Sequence, residues 1–540
     1  MPFRRIRWIA GVLCGAVAAS ISCMKATAAA GAPTAAVTSG PPKLVVFITV
    51  DQLRGDMLDR YRHDLRYGYA RLMRGAWFVN AFQDHAITET APGHASTMSG
   101  RFPRSTGIAS NATGVIDPSY PLLVGLSNEI GASPERFRGT TLFDWLHARD
   151  PRARALSVSK KDRAAILPIG RAKQDVYWFS ANGAFTTSTY YRDSLPDWVK
   201  RFNGRRIAQG YAGAEWKLSR DPSSYSEPDS VIFENRGTNV VFPHQFPADT
   251  LGASIYIAAT PAMDSITALF ALEGLRQLHL GEGPQTDVLA VSFSATDYIG
   301  HAFGPDSREA HENEIRLDET LGWFLDSLYR LRDSSTVVIA LTGDHGVSPI
   351  PELARARGQA TGDQGLRVSL RDQVAAVRSG LRAAGVDTSA FFYDGETVAL
   401  DRPALAQARV NADSVLNAFI AAAKQVRGVA RVDRMRDIRR ADLARDAISR
   451  RWAHQLPETS PVELVVTLTR YSFWNTLPAT HGSPYDQDAS VPVIFYGPWV
   501  KPGRYSTFTR VVDMGPTLAT IAGVPPLEKL DGVVLVAALK

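Results

Sequence analysis

Cysteine is almost absent from this sequence, and its absence narrows the possible chemistry. The 540 residues contain only Cys14 and Cys23, both within the first 30 positions. If that N-terminal stretch is removed, the remaining chain has no thiol. This excludes disulfide bonds, thiolate metal sites and cysteine nucleophiles. Any metal ion must therefore be held by nitrogen and oxygen ligands, and stability must come from core burial and bound ions.

A strong charge bias and a long apolar run are also missing. The formal net charge is +6, but residues 1–30 contain four basic residues and no acid, so the rest of the chain carries about +2. This balance gives little case for nucleic-acid binding, and we expect none. The apolar stretch Trp8–Ile21 is shorter than the roughly 20 residues that a membrane-spanning helix needs.

The N-terminus has the pattern of an export signal. Arg4, Arg5 and Arg7 precede the apolar stretch, and small residues suited to cleavage follow it at 26–30. We predict a cleaved signal peptide over residues 1–30, a flexible N-terminus over 31–42, and a protein that is exported to the periplasm or secreted. A single membrane anchor is the alternative, and the short apolar stretch argues against a stable one.

Buried strands and helices alternate along the rest of the chain. Three runs rich in β-branched and other apolar residues predict parallel strands buried on both faces: Lys43–Val50, Asp287–Ser294 and Ser335–Leu341. Apolar residues at helical spacing over 315–331 predict a helix between the last two strands. We also expect one helix over Met57–Arg74. This order predicts an α/β fold around a central, mostly parallel sheet.

The predicted core spans residues 43–351 and 461–540 and carries two insertions. Residues 177–261 are rich in aromatic, Ser, Pro and Asn residues and have weak periodicity, which predicts an irregular insertion near the site. Residues 352–460 are charged and alanine-rich with one short strand, which predicts an inserted α+β subdomain. The core is expected to resume with a strand at Val462–Val466.

Metal-type ligands follow the three buried strands. Asp51 ends the first strand, Asp297 and His301 lie just past the second, and Asp344 and His345 stand between glycines after the third. Open α/β sheets bind ligands at the carboxyl ends of their strands, so these side chains can meet there. Taken singly, each pattern is also typical of a capped turn or an exposed surface pair.

Two loop residues complete this set. His481 lies in a loop before the strand Val491–Tyr496, and Thr90 lies in a Thr-Ala-Pro-Gly turn. Thr90 alone is typical of a helix cap, although a hydroxyl near a helix N-terminus also lies where an anion is favoured. Together the seven side chains are enough for two ions. Imidazole and carboxylate ligands without sulfur suit zinc, with manganese or iron as alternatives.

A pair of cations follows another predicted strand, Ala155–Ser159. In Lys161-Asp162-Arg163, an ammonium and a guanidinium alternate with an acid, so an extended backbone would point both to the same side. Two such cations can bind the non-bridging oxygens of a phosphate. The alternative is a solvated charge cluster. His94, close to Thr90, is interpreted as structural.

These stretches, in this order, resemble the alkaline phosphatase superfamily. The arrangement is similar to the bacterial alkaline phosphatases with a threonine nucleophile, which are relatives of the nucleotide pyrophosphatase/phosphodiesterases. The resemblance covers almost the whole mature chain. The matching stretches are Ile48–Gln52, Thr90–His94, Asp297–His301, Thr342–Gly346, His481–Tyr485 and Val512–Leu518. It implies a three-layer sandwich and two Zn²⁺ per chain.

The resemblance also implies a role for each site residue. The ligands of one zinc would be Asp297, His301 and His481. The ligands of the other would be Asp51, Asp344 and His345, with Thr90 as the nucleophile in contact with it. Substrate phosphate would be bound by Asn111, Lys161 and Arg163. Within the family, the Lys-x-Arg pair marks monoesterases, whereas diesterases commonly keep the Asn and lack the pair.

We therefore predict an exported, metal-dependent alkaline phosphatase that hydrolyses small-molecule phosphate monoesters through a phospho-Thr90 intermediate. A nucleotide pyrophosphatase/phosphodiesterase is the first alternative. A non-catalytic surface binding protein that keeps metal for stability is the second. No stretch of the sequence predicts an oligomeric state.

Overall fold

The computed structural model describes residues 40–474 and 476–540. The predicted signal peptide and most of the predicted flexible segment 31–42 lie outside the described residues. Across the described ranges, no single helix is both long and apolar enough to cross a bilayer. The helix pair Thr250–Ala259 and Ala262–Gln277 meets those criteria only when taken together, and it is bent by 92°.

The strands of the described chain form four sheets. In chain order they are β1 (Leu44–Val50), β2 (Ala76–Phe78), β3 (Ala81–Phe82), β4 (Ala155–Ser159), β5 (Asp175–Phe179), β6 (Phe185–Thr186), β7 (Glu215–Trp216), β8 (His244–Gln245), β9 (Asp287–Phe293), β10 (Val337–Gly343), β11 (Phe391–Tyr393), β12 (Thr397–Leu400), β13 (Val429–Arg434), β14 (Val462–Leu468), β15 (Val493–Tyr496), β16 (Gly503–Tyr505) and β17 (Thr509–Arg510). The largest sheet has the order β16-β2-β15-β10-β1-β9-β4-β5-β6. A second sheet has the order β11-β12-β14-β13, and two small pairs are β17-β3 and β7-β8.

Helices connect these strands throughout the described ranges. In chain order they are α1 (Met57–Arg60), α2 (Gly68–Leu72), α3 (Thr90–Thr97), α4 (Pro103–Thr106), α5 (Leu142–Arg149), α6 (Asp162–Ile166), α7 (Asp197–Gly204), α8 (Thr250–Tyr256), α9 (Ala262–Gln277), α10 (Ala295–Phe303), α11 (Arg308–Leu331), α12 (Pro351–Ala356), α13 (Arg371–Ala383), α14 (Arg402–Gln407), α15 (Ala412–Ala423), α16 (Met435–Ile438), α17 (Ala447–Gln455), α18 (Asp486–Ala489) and α19 (Met514–Ala522).

The large sheet is mostly parallel, which confirms the predicted fold class. Strand β1 lies at its centre and runs parallel to both β9 and β10. Strands β4 and β5 continue the parallel order on one side. On the other side, β15 is antiparallel to both β10 and β2.

Helices cover both faces of this sheet. Along β1, Val46, Ile48 and Val50 pack into one core cluster with residues of α9, α10 and α11. Val45 and Phe47 point the other way, into a second cluster with residues of α3, α5 and α19. Because successive side chains of a strand alternate between its faces, β1 contributes to both cores. The result is the predicted three-layer sandwich.

Strand β14 differs from the prediction. The strand predicted over Val462–Val466 was expected to return to the large sheet, but β14 pairs with β12 and β13 in the second sheet. Helices α13, α14 and α15 pack on that sheet and share a separate hydrophobic cluster with it. The chain returns to the large sheet only at β15. An apolar strand pattern shows that a strand is buried, but it does not show which sheet the strand joins.

Two further segments differ from the sequence reading. The predicted insertion 177–261 begins inside β5, a strand of the large sheet, before it continues through α7 and α8. The helix expected over Met57–Arg74 is broken into α1 and α2. Between them, the Asp318 carboxylate accepts hydrogen bonds from backbone N–H groups of residues 66, 67 and 69, at 2.6 to 2.8 Å. These N–H groups therefore donate to a side chain of α11 and not to the carbonyl oxygens of a continuous helix.

Candidate metal centre and active site

Three carboxylates meet at one edge of the large sheet. Asp51 directly follows β1, Asp344 directly follows β10, and Asp297 lies in the first turn of α10, after β9. The last residues of β1, β9 and β10 stand side by side in the register of the parallel strands. Because the three strands end at the same level, the three acids lie close together, and all three are buried.

Three histidines face these carboxylates. His301 Nε2 lies 3.3 Å from Asp297 Oδ1, and His481 Nε2 lies 3.5 Å from the same oxygen. His345 Nε2 lies 3.5 Å from Asp51 Oδ1. The rings of His345 and His481 stack, with centroids 3.6 Å apart. The fold thus brings the distant His481 loop to the strand-end residues.

The main chain fixes the other nitrogen of each imidazole. Because a carbonyl oxygen can only accept, Nδ1 is the donor in all three hydrogen bonds, which leaves the Nε2 lone pair facing the carboxylates. The bonds, at 2.9, 2.9 and 2.7 Å, join His301 to Ala479, His345 to Gly346 and His481 to Thr88. Metal-binding histidines in proteins are held in this way. Burial also lowers the pKa of His345 to about 3, so its ring stays neutral and able to bind a metal.

The ligands form two groups, each with its atoms within 4.8 Å of one another. One group is Asp297, His301 and His481, the same three residues that were predicted to hold one zinc. The other is Asp51, Asp297 and His345, with Asp297 where the prediction has Asp344. The Asp344 carboxylate is still close, since its Oδ2 lies 3.6 Å from His345 Nε2.

Two polar atoms of the second group are unsatisfied. Asp51 Oδ1 and His345 Nε2 are buried and have no hydrogen-bond partner among the described residues. Burial, followed by repulsion from Asp344, raises the pKa of Asp51. Buried polar atoms without partners are costly, and crowded carboxylates favour a cation. The donor set therefore fits a metal ion of the zinc type.

Thr90 begins α3, and its hydroxyl faces these ligands. Lys161 Nζ donates to Thr90 Oγ1 at 3.3 Å and lies 2.6 Å from both Asp51 Oδ2 and Asp297 Oδ2. Burial lowers the pKa of Lys161, but attraction to the two carboxylates outweighs burial and raises it. The ammonium is therefore charged, and it links the predicted nucleophile to both ligand groups.

Asn111 is held beside the start of α3. Its Oδ1 accepts from the backbone N–H of Ala91 at 2.9 Å, and its own backbone N–H donates to Glu89 Oε2 at 2.6 Å. These bonds fix the carboxamide next to Thr90. The NH₂ group of the side chain is then the end that can donate to an anion.

Arg163 reaches the site by a different route from the one expected. Lys161 itself has an extended backbone, with φ of −91° and ψ of 137°, but α6 begins at the next residue, so Arg163 lies in a helix. The guanidinium contacts the Asp162 carboxylate at 3.4 Å, and its buried Nε has no hydrogen-bond partner within the described chain. Burial lowers the pKa of Arg163, whereas Asp162, Tyr298, Asp51 and Asp297 raise it. The guanidinium thus lies in the field of the site carboxylates.

Sequence reasoning missed one supporting residue, Gln52, and the particular contacts of another, His94. Gln52 has a left-handed backbone with φ of 68°, which is uncommon for a residue other than glycine. Its backbone N–H donates to Asp344 Oδ1 and its side chain to Asp297 Oδ1, each at 2.9 Å. His94, interpreted as structural, has Nδ1 2.9 Å from Thr90 O and 3.1 Å from Asp344 Oδ2. Only the position of Gln52 directly after Asp51 could have drawn attention to it.

The chain belongs to the type I phosphodiesterase / nucleotide pyrophosphatase family, whose model matches residues 45–413. This confirms the predicted superfamily. A Myroides odoratus protein named calcium-transporting ATPase is 31% identical over 89% of this chain and 91% of its own. Alkaline phosphatase PhoV of Synechococcus elongatus is 29% identical over 93% of this chain and 94% of its own.

The fold is also similar to a solved structure. Wild-type alkaline phosphatase PafA has a TM-score of 0.84 and 26% sequence identity, with 93% of this chain and 100% of PafA covered. A variant of PafA, with a TM-score of 0.85 and 25% identity, carries substitutions at a threonine, an asparagine, a lysine and an arginine. The similarity therefore extends over nearly the whole of both chains.

Proposed function

We propose that this protein is an alkaline phosphatase that hydrolyses small-molecule phosphate monoesters, with two zinc ions and Thr90 as the nucleophile. PhoV and PafA, which match nearly the whole chain, are both named alkaline phosphatases. The four residue types altered in the PafA variant are those of Thr90, Asn111, Lys161 and Arg163. The observation that carries the proposal is the Thr90 hydroxyl hydrogen-bonded to Lys161, whose ammonium contacts both ligand groups.

The donor set supports two metal ions of the predicted kind. One zinc would be held by Asp297, His301 and His481. The other would be held by Asp51, Asp344 and His345. When bound, the two ions supply Lewis-acid charge that lowers the pKa of the Thr90 hydroxyl and of the leaving alcohol.

The residues of the chain then divide the reaction between them. The Thr90 oxygen gives its proton to solvent and attacks phosphorus in line with the ester oxygen. The P–O bond to the alcohol breaks as the bond to Thr90 forms, and the leaving oxygen takes a proton from water. A water molecule, which gives up a proton, next attacks phosphorus from the vacated side and releases phosphate, and the Thr90 oxygen regains a proton. In both steps the donors of Lys161, Arg163 and Asn111 hold the non-bridging oxygens, where charge accumulates.

A phosphodiesterase is the second candidate, because the matching family is described by that activity. A monoester carries one more anionic oxygen than a diester, and that oxygen needs its own positive partner. Lys161 is buried and charged, and Arg163 has an unsatisfied buried Nε, so two cations are available. This pair favours the monoester.

The nucleophile is tested with Thr90→Ala and a matched control, Thr97→Ala, in the same helix. Thr97 lies two turns further along α3 and donates its hydroxyl to the His94 carbonyl at 2.7 Å. We expect Thr90→Ala to lower kcat by at least about 10³-fold, with unchanged zinc content, and to abolish labelling of threonine by ³²P-substrate after acid quench. Near-normal turnover of Thr90→Ala would overturn the assignment.

Substrate class and metal dependence are tested on zinc-quantified protein. The kcat/KM for p-nitrophenyl phosphate should exceed that for bis-p-nitrophenyl phosphate, and a clear preference for the diester would support the second candidate. Chelation should abolish turnover and zinc should restore it. A folded, zinc-loaded protein that hydrolyses neither ester would instead support the non-catalytic alternative.

Export is a separate part of the proposal. It is supported by the basic, apolar and small-residue pattern of residues 1–30. N-terminal sequencing of the protein after expression with this leader, together with cell fractionation, tests it. An intact leader on protein retained inside the cell would contradict export.

A further inference from the structure

A cleft of about 450 Å³ opens beside the ligand group Asp297, His301 and His481. We call it the acidic cleft. Its walls include Asn111, His301 and His481 on the site side. The opposite wall comes from the β11–β12 turn and from the segment after β14. The cleft therefore continues outward from the zinc position that Asp297, His301 and His481 would form. Because Thr90 would contact the other zinc, the leaving alcohol is assigned to this one.

Carboxylates dominate the charge of this cleft. Among the described residues that line it are four acids and no Lys or Arg; the acids are Glu89, Asp394, Glu396 and Asp488. Asp488 is already bonded to the Ser348 and Ser483 hydroxyls. Glu89 accepts from the backbone N–H of Asn111, and Asp394 accepts from the backbone N–H and the hydroxyl of Thr397. Glu396 is the remaining acid of the lining.

Glu396 and an aromatic ring stand close to the site loop. A methyl group at Gly482, the residue after His481, would lie 3.7 Å from Glu396 Oε1. A methyl group at Gly395 would lie 3.9 Å from the Trp474 ring. Asp394, Glu396 and the indole of Trp474 all line the cleft. Carboxylates beside an aromatic face are the groups that proteins use to bind ammonium and quaternary ammonium cations.

We propose that the acidic cleft is the leaving-group subsite and that it selects phosphate monoesters of cationic alcohols, such as amino alcohols and quaternary ammonium alcohols. The inference rests on the proposed function, because it assigns the alcohol released by Thr90 to this side of the site. A cation complements the four carboxylates that line the cleft. A polyol offers only hydroxyl donors, and a second phosphate would add negative charge.

The test compares two substrates of the same shape. Choline phosphate carries a quaternary ammonium, and 3,3-dimethylbutyl phosphate is its neutral carbon isostere. The two alcohols differ in intrinsic reactivity, so the readout is the ratio of their kcat/KM values in each variant relative to the wild type. We expect Glu396→Gln, and separately Asp394→Asn, to lower this ratio about fivefold each.

Asp372→Asn is the matched control. Asp372 is an exposed carboxylate at the start of α13, in the same subdomain but outside the cleft. Like the cleft variants, Asp372→Asn removes one negative charge, and it should leave the choline-to-isostere ratio of kcat/KM at the wild-type value. Zinc content and melting temperature of each variant verify that the protein is folded, and Asp394→Asn provides a second reading if Glu396→Gln fails to fold.

The outcomes separate this inference from the proposed function. If p-nitrophenyl phosphate is hydrolysed but the choline-to-isostere ratio is the same in wild type and cleft variants, the cleft does not select cations and the inference is overturned. A fall in glucose 6-phosphate turnover equal to that of choline phosphate would also overturn it, in favour of a polyol site. If p-nitrophenyl phosphate is not hydrolysed at all, the proposed function itself fails.

Discussion

Lys161 and Thr90 form a hydrogen bond inside a buried group of carboxylates and imidazoles, with 3.3 Å between Nζ and Oγ1. The ammonium also lies 2.6 Å from one oxygen each of Asp51 and Asp297. Removing the Lys161 ammonium would therefore affect Thr90 and both ligand groups together. Because a monoester carries one more anionic oxygen than a diester, comparing the two substrates can isolate the contribution of the Lys161 charge.

Lys161→Ala should lower kcat/KM for p-nitrophenyl phosphate by about 10²–10³-fold, because a preorganised cation near the developing charge is lost. The fall for bis-p-nitrophenyl phosphate should be smaller, since the diester has one fewer anionic oxygen. Lys160→Ala is the matched control, because Lys160 Nζ instead donates to the Phe179 carbonyl at 3.0 Å. Equal losses for the two esters would contradict a role in monoester selection.

Asp264→Ala should loosen the start of α10, the helix that carries Asp297 and His301. The buried Asp264 Oδ1 accepts from the backbone N–H groups of Ser294 and Ala295, at 2.9 and 3.1 Å. Loss of this cap should cost about 1–2 kcal/mol in the free energy of unfolding. It should also weaken zinc binding about tenfold, because α10 positions two ligands of one group.

The control for Asp264 is Asn411→Ala. Asn411 caps α15 in the subdomain by accepting from Ser414 N–H at 2.9 Å. It should lower the free energy of unfolding by a similar amount and leave zinc affinity unchanged. Denaturant unfolding and competition with a zinc chelator measure the two quantities. An unchanged zinc affinity in Asp264→Ala would show that the cap serves stability alone.

Stability should fall as pH rises through the neutral range, because of Glu314 in α11. Burial raises the pKa of Glu314 to about 8, and the carboxylates of Asp264 and Asp318 contribute to the increase. In an unfolded chain its pKa is about 4.3. Between these values the folded state holds the proton more tightly, so the free energy of unfolding falls as pH rises and stays low above pH 8.

Glu314→Gln should remove the part of this pH dependence that comes from Glu314. Burial also raises the pKa of Asp264 to about 7 and that of Glu234 to about 9, so these two groups should keep their own contributions. Relative to the wild type, the variant should gain stability between pH 5 and pH 9. Glu319→Gln, on the same helix but nearer the surface, serves as the control and should follow the wild type. Denaturant midpoints of zinc-loaded protein across this range test the expectation. Parallel curves for Glu314→Gln and wild type would show that Glu314 is ionised in the folded protein.

The strand-end acids were predictable because their pattern is local. A carboxylate at or just past the end of a buried apolar run identifies Asp51, Asp297 and Asp344. Because parallel strands in register end at the same edge of the sheet, the three side chains lie close together there. Strand β14 and the break between α1 and α2 were not predictable in this way. Strand β14 is an ordinary apolar strand whose partner is chosen by tertiary packing, and the break depends on Asp318, about 250 residues away.

The supporting residues of the site were missed for the same reason. Gln52 contacts Asp297 and Asp344, and Asp264 caps α10, but no spacing in the sequence joins these pairs. The acidic cleft likewise combines Glu89 from the core with Glu396 from the subdomain. Sequence patterns identify the polar residue that follows a strand. The side chains that orient this residue come from other parts of the fold and have no sequence pattern in common with it.

The wide spacing of the ligands along the chain has a consequence for assembly. Asp51 precedes β9 and β10, while His481 arrives only after the whole second sheet has been made. A chain that is still being synthesised can gather the acids of the strand ends, but it lacks the imidazole of His481. The ligand group of Asp297, His301 and His481 is therefore completed late in synthesis, and a chain truncated before residue 481 would lack one of its three members.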